Sequence, residues 1–418
     1  MPRAPGRIFA GGDPAAADAL VGALRAPGID HEISDSLTHP LHSYPARLHP
    51  ATARLLIEVV LVAGGRGGGR GRGGPAILDP FCGSGTALVE ARAAGLRAIG
   101  VDLNPLAVLV ARAKTWTVPA RRRKVLRDTG HAISGAVLAA GKAARRSGAE
   151  AAPMRRPVGF DPNARDRRLA SWFAPHVRRE LELIAVHLDE LAARDGELAG
   201  VLTACLSAIL YKVSSRTSDT DSTWVPRNVA RGAPARLFAQ RVELLVSGLS
   251  DFPPGSPAEV FELDARRLGE VVPAGTVDGI VTSPPYAGTY DYAEHQRLRF
   301  DFLALRHRDL DFREIGSRRS FAADPDEAAR AWRRALGDSL AAIAGALAPG
   351  AAAALVLGDS LVGPGQAIFA LDDLRGALTD ELAVQAWASQ ERPMLGGGER
   401  RAFGDRPKAE HVILLRRR

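Results

Sequence analysis

The run LDPFCGSGTALVEA, residues 78–91, constrains this chain more than any other stretch of its sequence. Residues 76–79 (AILD) read as a short buried strand that ends in an acid, Asp79. Residues 80–86 form a glycine-bearing turn, and residues 87–94 carry a helical pattern. A second strand, residues 97–102 (RAIGVD), ends in another acid, Asp102, and a second helix is expected over residues 105–113. Strand–helix–strand–helix is the opening of a doubly wound parallel sheet. Right-handed crossovers then bring Asp79 and Asp102 to the same edge of that sheet.

The turn has the chemistry of a ligand site. Gly83 and Gly85 let a backbone approach a ligand closely, and the helix beyond them offers unpaired N–H groups. The phosphate-binding pattern GxxxxGK[ST] is absent, and the spacing after Gly85 does not fit GxGxxG. An acid ahead of the glycines repels pyrophosphate but suits an ammonium group. An acid closing the second strand suits ribose hydroxyls. A ligand with an amine and a ribose is called for, and S-adenosylmethionine fits; the alternative is a tight turn with no ligand.

A second signal is TSPPY, residues 282–286, directly after a strand expected over residues 278–282. The Ser283 hydroxyl and the carbonyl ahead of a proline are acceptors, and Pro284 and Pro285 hold the backbone because their φ angles are fixed. Tyr286 supplies a flat face for stacking a base. Two acceptors and a ring suit an exocyclic amine on a planar base. Holding both amine protons draws the nitrogen toward tetrahedral geometry and frees its lone pair for attack on a methyl donor. The alternative is a rigid proline turn.

DPFCGSGT with TSPPY resembles the S-adenosylmethionine-dependent amino-methyltransferases of DNA, which make N4-methylcytosine or N6-methyladenine. The resemblance covers roughly residues 36–114 and 259–418. It implies that Asp79, Pro80, Phe81, Gly83, Ser84, Gly85 and Thr86 bind the methionine part of the cofactor. It also implies that Asp102 binds the ribose with help from Asn104, that Asp264 lies near the adenine, and that Ser283, Pro284, Pro285 and Tyr286 hold the target amine. Serine at the first place of the tetrad is more typical of cytosine-N4 enzymes, and Asp or Asn of adenine-N6 enzymes. Residues 39–50 (HPLHSYPARLHP) resemble the family's upstream segment, in which Tyr44, Pro45 and Ala46 match and Arg47 stands for a lysine; this loop is implied to close over the cofactor. A cytosine-C5 enzyme would need a Pro-Cys nucleophile where this chain has Ser283.

The rest of the chain bears on partners. Lys and Arg number 55 and Asp and Glu 47, a net charge of +8, which favours a polyanionic partner such as DNA or simply reflects an arginine-rich composition. Two cysteines far apart exclude a disulfide scaffold. Cys82 reads as a small packed residue. A metal site from His39, His42 and His49 lacks a completing acid or thiol, and no metal is expected. No stretch reaches the ~20 uninterrupted apolar residues of a membrane helix, and the N-terminus lacks a signal-peptide core. A cytoplasmic location with no membrane partner is expected.

The expected architecture is an α/β class I methyltransferase (Rossmann-like) fold: a doubly wound, seven-stranded, mostly parallel sheet with a helical insertion. Residues 1–35 are expected as an N-terminal extension with a short helix over 15–24, 36–114 as the cofactor half and 259–418 as the catalytic half. Residues 115–258 are expected as the insertion, a target-recognition region, a cofactor lid or an oligomer surface. Residues 64–75 (GGRGGGRGRGGP) read as a mobile loop, and residues 214–228 as a polar loop able to meet DNA. Tyr290 and Tyr292 either contact the target base or pack in the core, and residues 314–321 are a phosphate contact or a plain loop. The expected reaction is methylation of a DNA base amine, N4 of cytosine, with DNA as substrate and a cognate restriction endonuclease as a partner to be looked for. Its rivals are adenine-N6 transfer, an RNA or protein-amide substrate, and a DNA-binding module without catalysis. Oligomeric state is not legible.

Overall fold

The computed structural model of the chain describes all residues except 1–5, 31, 66–73, 148–161, 217–222, 226, 255–257, 364 and 395. The glycine-arginine run within 64–75 and most of the serine-threonine part of the 214–228 loop therefore lie outside the described residues.

The chain opens with β1 (Ile8–Gly12), α1 (Pro14–Ile29) and α2 (Pro50–Ala63). It continues through β2 (Ala76–Asp79), α3 (Thr86–Ala93), β3 (Arg97–Asp102) and α4 (Pro105–Lys114). The helices α5 (Ala120–Ser147), α6 (Pro162–Trp172), α7 (Pro175–Ala192), α8 (Gly196–Leu210) and α9 (Ala233–Ser250) separate β3 from β4 (Ala258–Glu262). After β5 (Val277–Thr282) come the short helices α10 (Tyr292–His295), α11 (Arg297–Leu303), α12 (Arg308–Arg313) and α13 (Arg318–Ala323), then the long α14 (Pro325–Ala346). The chain ends with β6 (Leu347–Gly358), β7 (Ser360–Val362), β8 (Gln366–Ile368), α15 (Ala370–Gly376), β9 (Leu382–Glu391), α16 (Gly397–Phe403) and β10 (Ala409–Arg417).

Among the described residues, eight strands form one sheet in the order β1-β9-β10-β6-β5-β2-β3-β4. Strands β4, β3, β2, β5 and β6 are parallel, and β10 runs antiparallel between β6 and β9. This is the expected class I methyltransferase sheet with one more strand. The extra strand is β1, which pairs antiparallel with β9 along its whole length. Residues 1–35 are therefore no mere extension: β1 closes a sheet edge, and α1 contributes Ala17, Leu20, Ala23 and Leu24 to the core.

The central strands are buried on both faces, which is why they read as continuous apolar runs. Successive residues feed opposite layers. Ile77, Ala98 and Val281 pack with α1, α2 and α3 on one face, while Leu78, Ile99 and Ile280 pack with α14 and α15 on the other. The helices between β3 and β4 add a further layer. Leu106, Val110 and Ala113 of α4 share a core with Leu181, Leu202, Cys205 and Phe238 of α7, α8 and α9. The span Gly196–Val213 is long and apolar enough to cross a membrane by length and composition, but 72% of it is buried inside the protein.

The helices α10 and α11 meet at Gln296, whose side chain is fully buried. Within residues 314–321, α13 begins at Arg318, capped by the Ser317 hydroxyl.

Strand order reverses between β2 and β5: from β2 the chain winds outward through β3 and β4, then returns to β5 and proceeds to β6. In open α/β sheets the crevice beyond the strand C-termini at such a reversal is where ligands bind. Asp79 and Thr282, the last residues of the two strands, stand on either side of it.

Candidate functional site

The Thr282 hydroxyl donates to Asp79 Oδ1 at 2.6 Å. This buried bond ties the glycine turn to the proline tetrad, two segments far apart in sequence. Asp79 Oδ1 also accepts the Phe81 N–H at 3.1 Å. Burial still prevails over these bonds and pushes the Asp79 carboxyl up to about 7. The turn itself needs its glycines: Gly83 and Gly85 have φ of +49° and +81°, a region that costs other residues strain. Cys82 is buried against Gly100, and burial holds its thiol well above the ordinary range.

Asp102 closes β3 and takes two backbone N–H groups, Gly83 at 2.8 Å on Oδ2 and Asn104 at 2.8 Å on Oδ1. Burial outweighs these bonds and raises it to about 6. Asn104, expected to assist at the ribose, lines the pocket beside Asp102 and also bonds within the protein. Its Oδ1 caps α4 by accepting the Leu106 N–H at 3.0 Å, and its amide donates to Gln296 Oε1 at 2.7 Å and to the Tyr44 hydroxyl at 3.2 Å. These bonds hold Tyr44 and the junction between α10 and α11. Asp264 also bonds within the protein. It caps the turn at Ala265–Glu270 and sits in the fork of Arg266, with contacts of 2.9 and 2.5 Å. Burial raises its pKa, but the Arg266 bonds outweigh this and leave it below its ordinary value.

One pocket gathers these groups. Tyr44, Ala46, Asp79, Pro80, Phe81, Gly83, Ser84, Thr86, Asp102, Asn104 and Asp264 line a cleft with about 910 Å³ of empty space, open solvent at its mouth included. Of the expected cofactor residues only Pro45 and Gly85 do not face it. Tyr44 lies over Gly83, and Ala46 carries a left-handed φ of +54°, so the loop reaches the pocket through a strained residue.

Leu310 and Arg313, which no motif signalled, complete the wall with Glu314 and Ile315 from the start of the 314–321 stretch. Glu314 accepts the Tyr292 N–H at 2.7 Å and is pushed up to about 7 by burial.

A second pocket adjoins the first. Ser283, Pro284, Pro285 and Tyr286 all line it, with Tyr290, Tyr292, Arg392 and Glu410. Ala46, Arg47, Leu48, Ser283, Pro285 and Tyr292 line both pockets. Tyr292 stacks on Tyr44 with ring centroids 6.2 Å apart. The Ser283 hydroxyl donates to the Val356 carbonyl at 3.2 Å, so its oxygen meets any further partner as an acceptor. The Pro285 carbonyl accepts the Trp332 indole N–H at 3.0 Å, an anchor from α14 that no motif signalled. The Tyr286 ring packs against Gly358, where a Cβ would come within 2.6 Å of it, and its hydroxyl donates to Glu410 at 3.2 Å.

The histidines of the upstream segment go separate ways. His39 bonds Glu90 at 2.7 Å, His42 bonds Ser207 at 2.9 Å and His49 bonds Ser34 at 3.2 Å. Among the described residues no three His, Cys, Asp or Glu side chains come together as metal ligands.

The first pocket fits S-adenosylmethionine by an observation independent of any motif. Among the described residues, the hydroxyls of Ser84 and Thr86 are buried and have no hydrogen-bond partner. Buried hydroxyls without partners are rare and costly, and these two stand at the N-terminus of α3, where backbone N–H groups are also unpaired. They suit a carboxylate, as Asp79 suits an ammonium or sulfonium and Asp102 a ribose.

No family model matches the chain. It is 27% identical over 295 residues to the type II methyltransferase M.MvaI of Kocuria varians, a match covering 65% of this chain and 58% of that protein. The chain thus spans little more than half the length of this relative. Among solved structures it is similar to the rRNA methyltransferase aviRa of Streptomyces viridochromogenes, with a TM-score of 0.35, 12% identity, and 93% of each chain covered. It is also similar to TrmN of Thermus thermophilus, with a TM-score of 0.32, 13% identity, and 87% of this chain and 49% of that one covered. The fold assignment stands on the strand order above, not on these loose likenesses.

Proposed function

We propose that this chain is an S-adenosylmethionine-dependent DNA methyltransferase that methylates the exocyclic amine of a base, N4 of cytosine. The observation that carries the reading is the junction of the two pockets: Ser283, Pro285 and Tyr292 belong to both, and the Thr282–Asp79 bond locks the loops together. The 27% identity to a protein named as a type II methyltransferase supports the same reading.

The cofactor supplies a methyl group made electrophilic by its sulfonium sulfur. The chain's residues do the rest. Asp79 holds positive charge at the end of β2, Ser84 and Thr86 hold the carboxylate, and Tyr44 covers the turn. Ser283 and the carbonyl between the prolines accept the amine protons of the target, and Tyr286 stacks its ring. With both protons held, the nitrogen lone pair points toward the first pocket, so positioning and electrostatics lower the barrier. Serine cannot take a proton as a carboxylate would, so the tetrad acts as a clamp, and the proton that the amine sheds once the N–C bond has formed and the sulfonium C–S bond has broken passes to solvent water. The target amine lies inside a duplex and must be flipped out, at a cost of roughly a few kcal/mol. The cationic helices between β3 and β4 are the candidate contact with the phosphate backbone, and a cognate restriction endonuclease in the cytoplasm completes the reading.

The test is transfer of labelled methyl groups from S-adenosylmethionine to DNA, RNA and protein offered side by side, followed by mass spectrometry of the nucleosides. N4-methylcytosine in the DNA is expected. N6-methyladenine would correct the base, and label confined to RNA or protein would overturn the substrate. Failure to bind the cofactor in calorimetry would leave a DNA-binding module.

A further inference from the structure

The wall of the second pocket opposite the tetrad carries a feature that the clamp does not use. Arg392 follows β9, and Glu410 is the second residue of β10. The backbone of Arg392 extends the ladder by donating to the Lys408 carbonyl at 2.7 Å. Glu410 stands across from Gln390, which makes Arg392 its diagonal neighbour. The two side chains form an ion pair through Arg392 Nη2 and Glu410 Oε2, and Glu410 Oε1 accepts the Tyr286 hydroxyl at 3.2 Å. One carboxylate thus ties the stacking ring to a guanidinium.

The other basic groups of this pocket are turned to structural work. Arg47 donates to the His39 carbonyl, and His49 bonds Ser34 and caps α2. Arg392 is bonded instead to a pocket residue, and its side chain is 44% exposed against 27% for Glu410. A guanidinium carries five N–H donors in a planar fork.

The chemistry of the target edge then matters. Beside its amine, cytosine presents two consecutive acceptors, N3 and O2. Adenine presents one acceptor, N1, followed by a C–H. A planar fork matches two acceptors in a row and not one.

We propose that Arg392 reads the ring edge of the target base, donating to N3 and O2 of a cytosine whose amine is held at Ser283, and that Glu410 is the positioning residue that orients the guanidinium from Tyr286. This rests on the reading of the tetrad as an amine clamp. A bidentate contact of this kind discriminates between bases by roughly ten- to a hundredfold.

The test uses the 418-residue chain and four variants, Arg392→Gln, Arg392→Lys, Glu410→Gln and the double variant Arg392→Gln with Glu410→Gln. DNA from cells expressing each is hydrolysed, and N4-methylcytosine and N6-methyladenine are quantified. Cofactor affinity and steady-state kinetics on DNA are measured on the purified proteins. Arg392→Gln should keep its cofactor affinity, since Arg392 does not line the first pocket, while kcat/KM for cytosine falls roughly ten- to a hundredfold through KM and the ratio of methyladenine to methylcytosine rises. Arg392→Lys should rescue only part of the loss, because an ammonium lacks the fork. Glu410→Gln should raise KM in the same direction, and the double variant should lose no more than Arg392→Gln alone. Unchanged kcat/KM and base ratio in Arg392→Gln, with wild-type DNA methylation intact, would overturn the role of Arg392 and leave the clamp standing. A wild-type protein that binds the cofactor but methylates no DNA base would overturn the clamp itself, and this inference with it.

Discussion

Binding of a cationic cofactor should report the ionisation of Asp79. Burial pushes this carboxyl up to about 7, with the Thr282 and Phe81 hydrogen bonds opposing it. An ammonium or sulfonium binds the carboxylate and not the carboxylic acid. From pH 8 to pH 5 the charged fraction falls from about nine-tenths to about one-hundredth, so affinity should drop by about ninety-fold, close to 2.7 kcal/mol. Asp102, raised to about 6, should steepen the fall at its acid end. Stability has the opposite sign. A carboxyl raised above its ordinary 3.8 contributes stability that is fully present below that value and is lost as pH rises through about 7. The cofactor-free protein should therefore gain more thermal stability from S-adenosylmethionine at pH 8 than at pH 6. Isothermal calorimetry at constant ionic strength, on wild type and Asp79→Asn, checks both the size and the source of the effect. The variant should bind weakly at every pH and lose the upper limb of the profile. A wild-type affinity that changes less than twofold from pH 8 to pH 5 would refute the argument, as would an Asp79→Asn profile parallel to wild type.

The other predictions probe the same junction from different sides. Thr282→Val removes a bond that lowers the Asp79 pKa, so the midpoint of cofactor binding should move above that of wild type in the same calorimetric titration. Ser283→Ala should abolish methyl transfer in a labelled-DNA assay while cofactor affinity stays within twofold; undiminished transfer would rule out the clamp. Gly358→Ala sets a methyl group within 2.6 Å of the Tyr286 ring, an overpacking that costs roughly 1–3 kcal/mol; it should lower kcat/KM for DNA without changing cofactor affinity, and equal activity would mean that the ring is not seated as described. Trp332→Phe leaves the Pro285 carbonyl without its indole donor, and a thermal melt should show a loss of roughly 1–3 kcal/mol.

What the sequence disclosed and what it hid follow from one distinction. The strands β2, β3, β5 and β6 are buried on both faces, so each announces itself as an apolar run. The glycine turn was legible because its function is carried by the backbone of consecutive residues, and the tetrad because its prolines do their work in place. β1 was missed because IFAGG is short, largely exposed and rich in glycine, and what makes it a strand is β9, at the other end of the chain. Asn104 and Asp264 show the limit within the site itself. Their residue types and positions suited ligand contacts and both line the pocket, but nothing in the sequence showed that their side chains also bond Tyr44, Gln296 and Arg266. Only tertiary neighbours decide which of several acceptors a side chain meets, and the same holds for Trp332 and for the Arg392–Glu410 pair.

The helical segment between β3 and β4 carries this distinction furthest. Periodicity shows that a helix has an apolar face but not what that face rests on. In α8 nearly every residue from Leu198 to Leu210 is buried, because the helix is enclosed by α4 on one side and α7 and α9 on the others. Full enclosure also explains how its composition passes for a membrane span. It bears on the lid among the roles considered for this segment. Swinging these helices away as one body would strip Leu106 and Val110 of α4, together with Leu202, Cys205 and Leu206 of α8, of their shared core. At roughly 1.5–3 kcal/mol for each large apolar side chain exposed, that motion costs an amount comparable to a typical domain's whole margin of stability. The larger helices thus share one continuous core with α4 and back the cofactor half of the sheet.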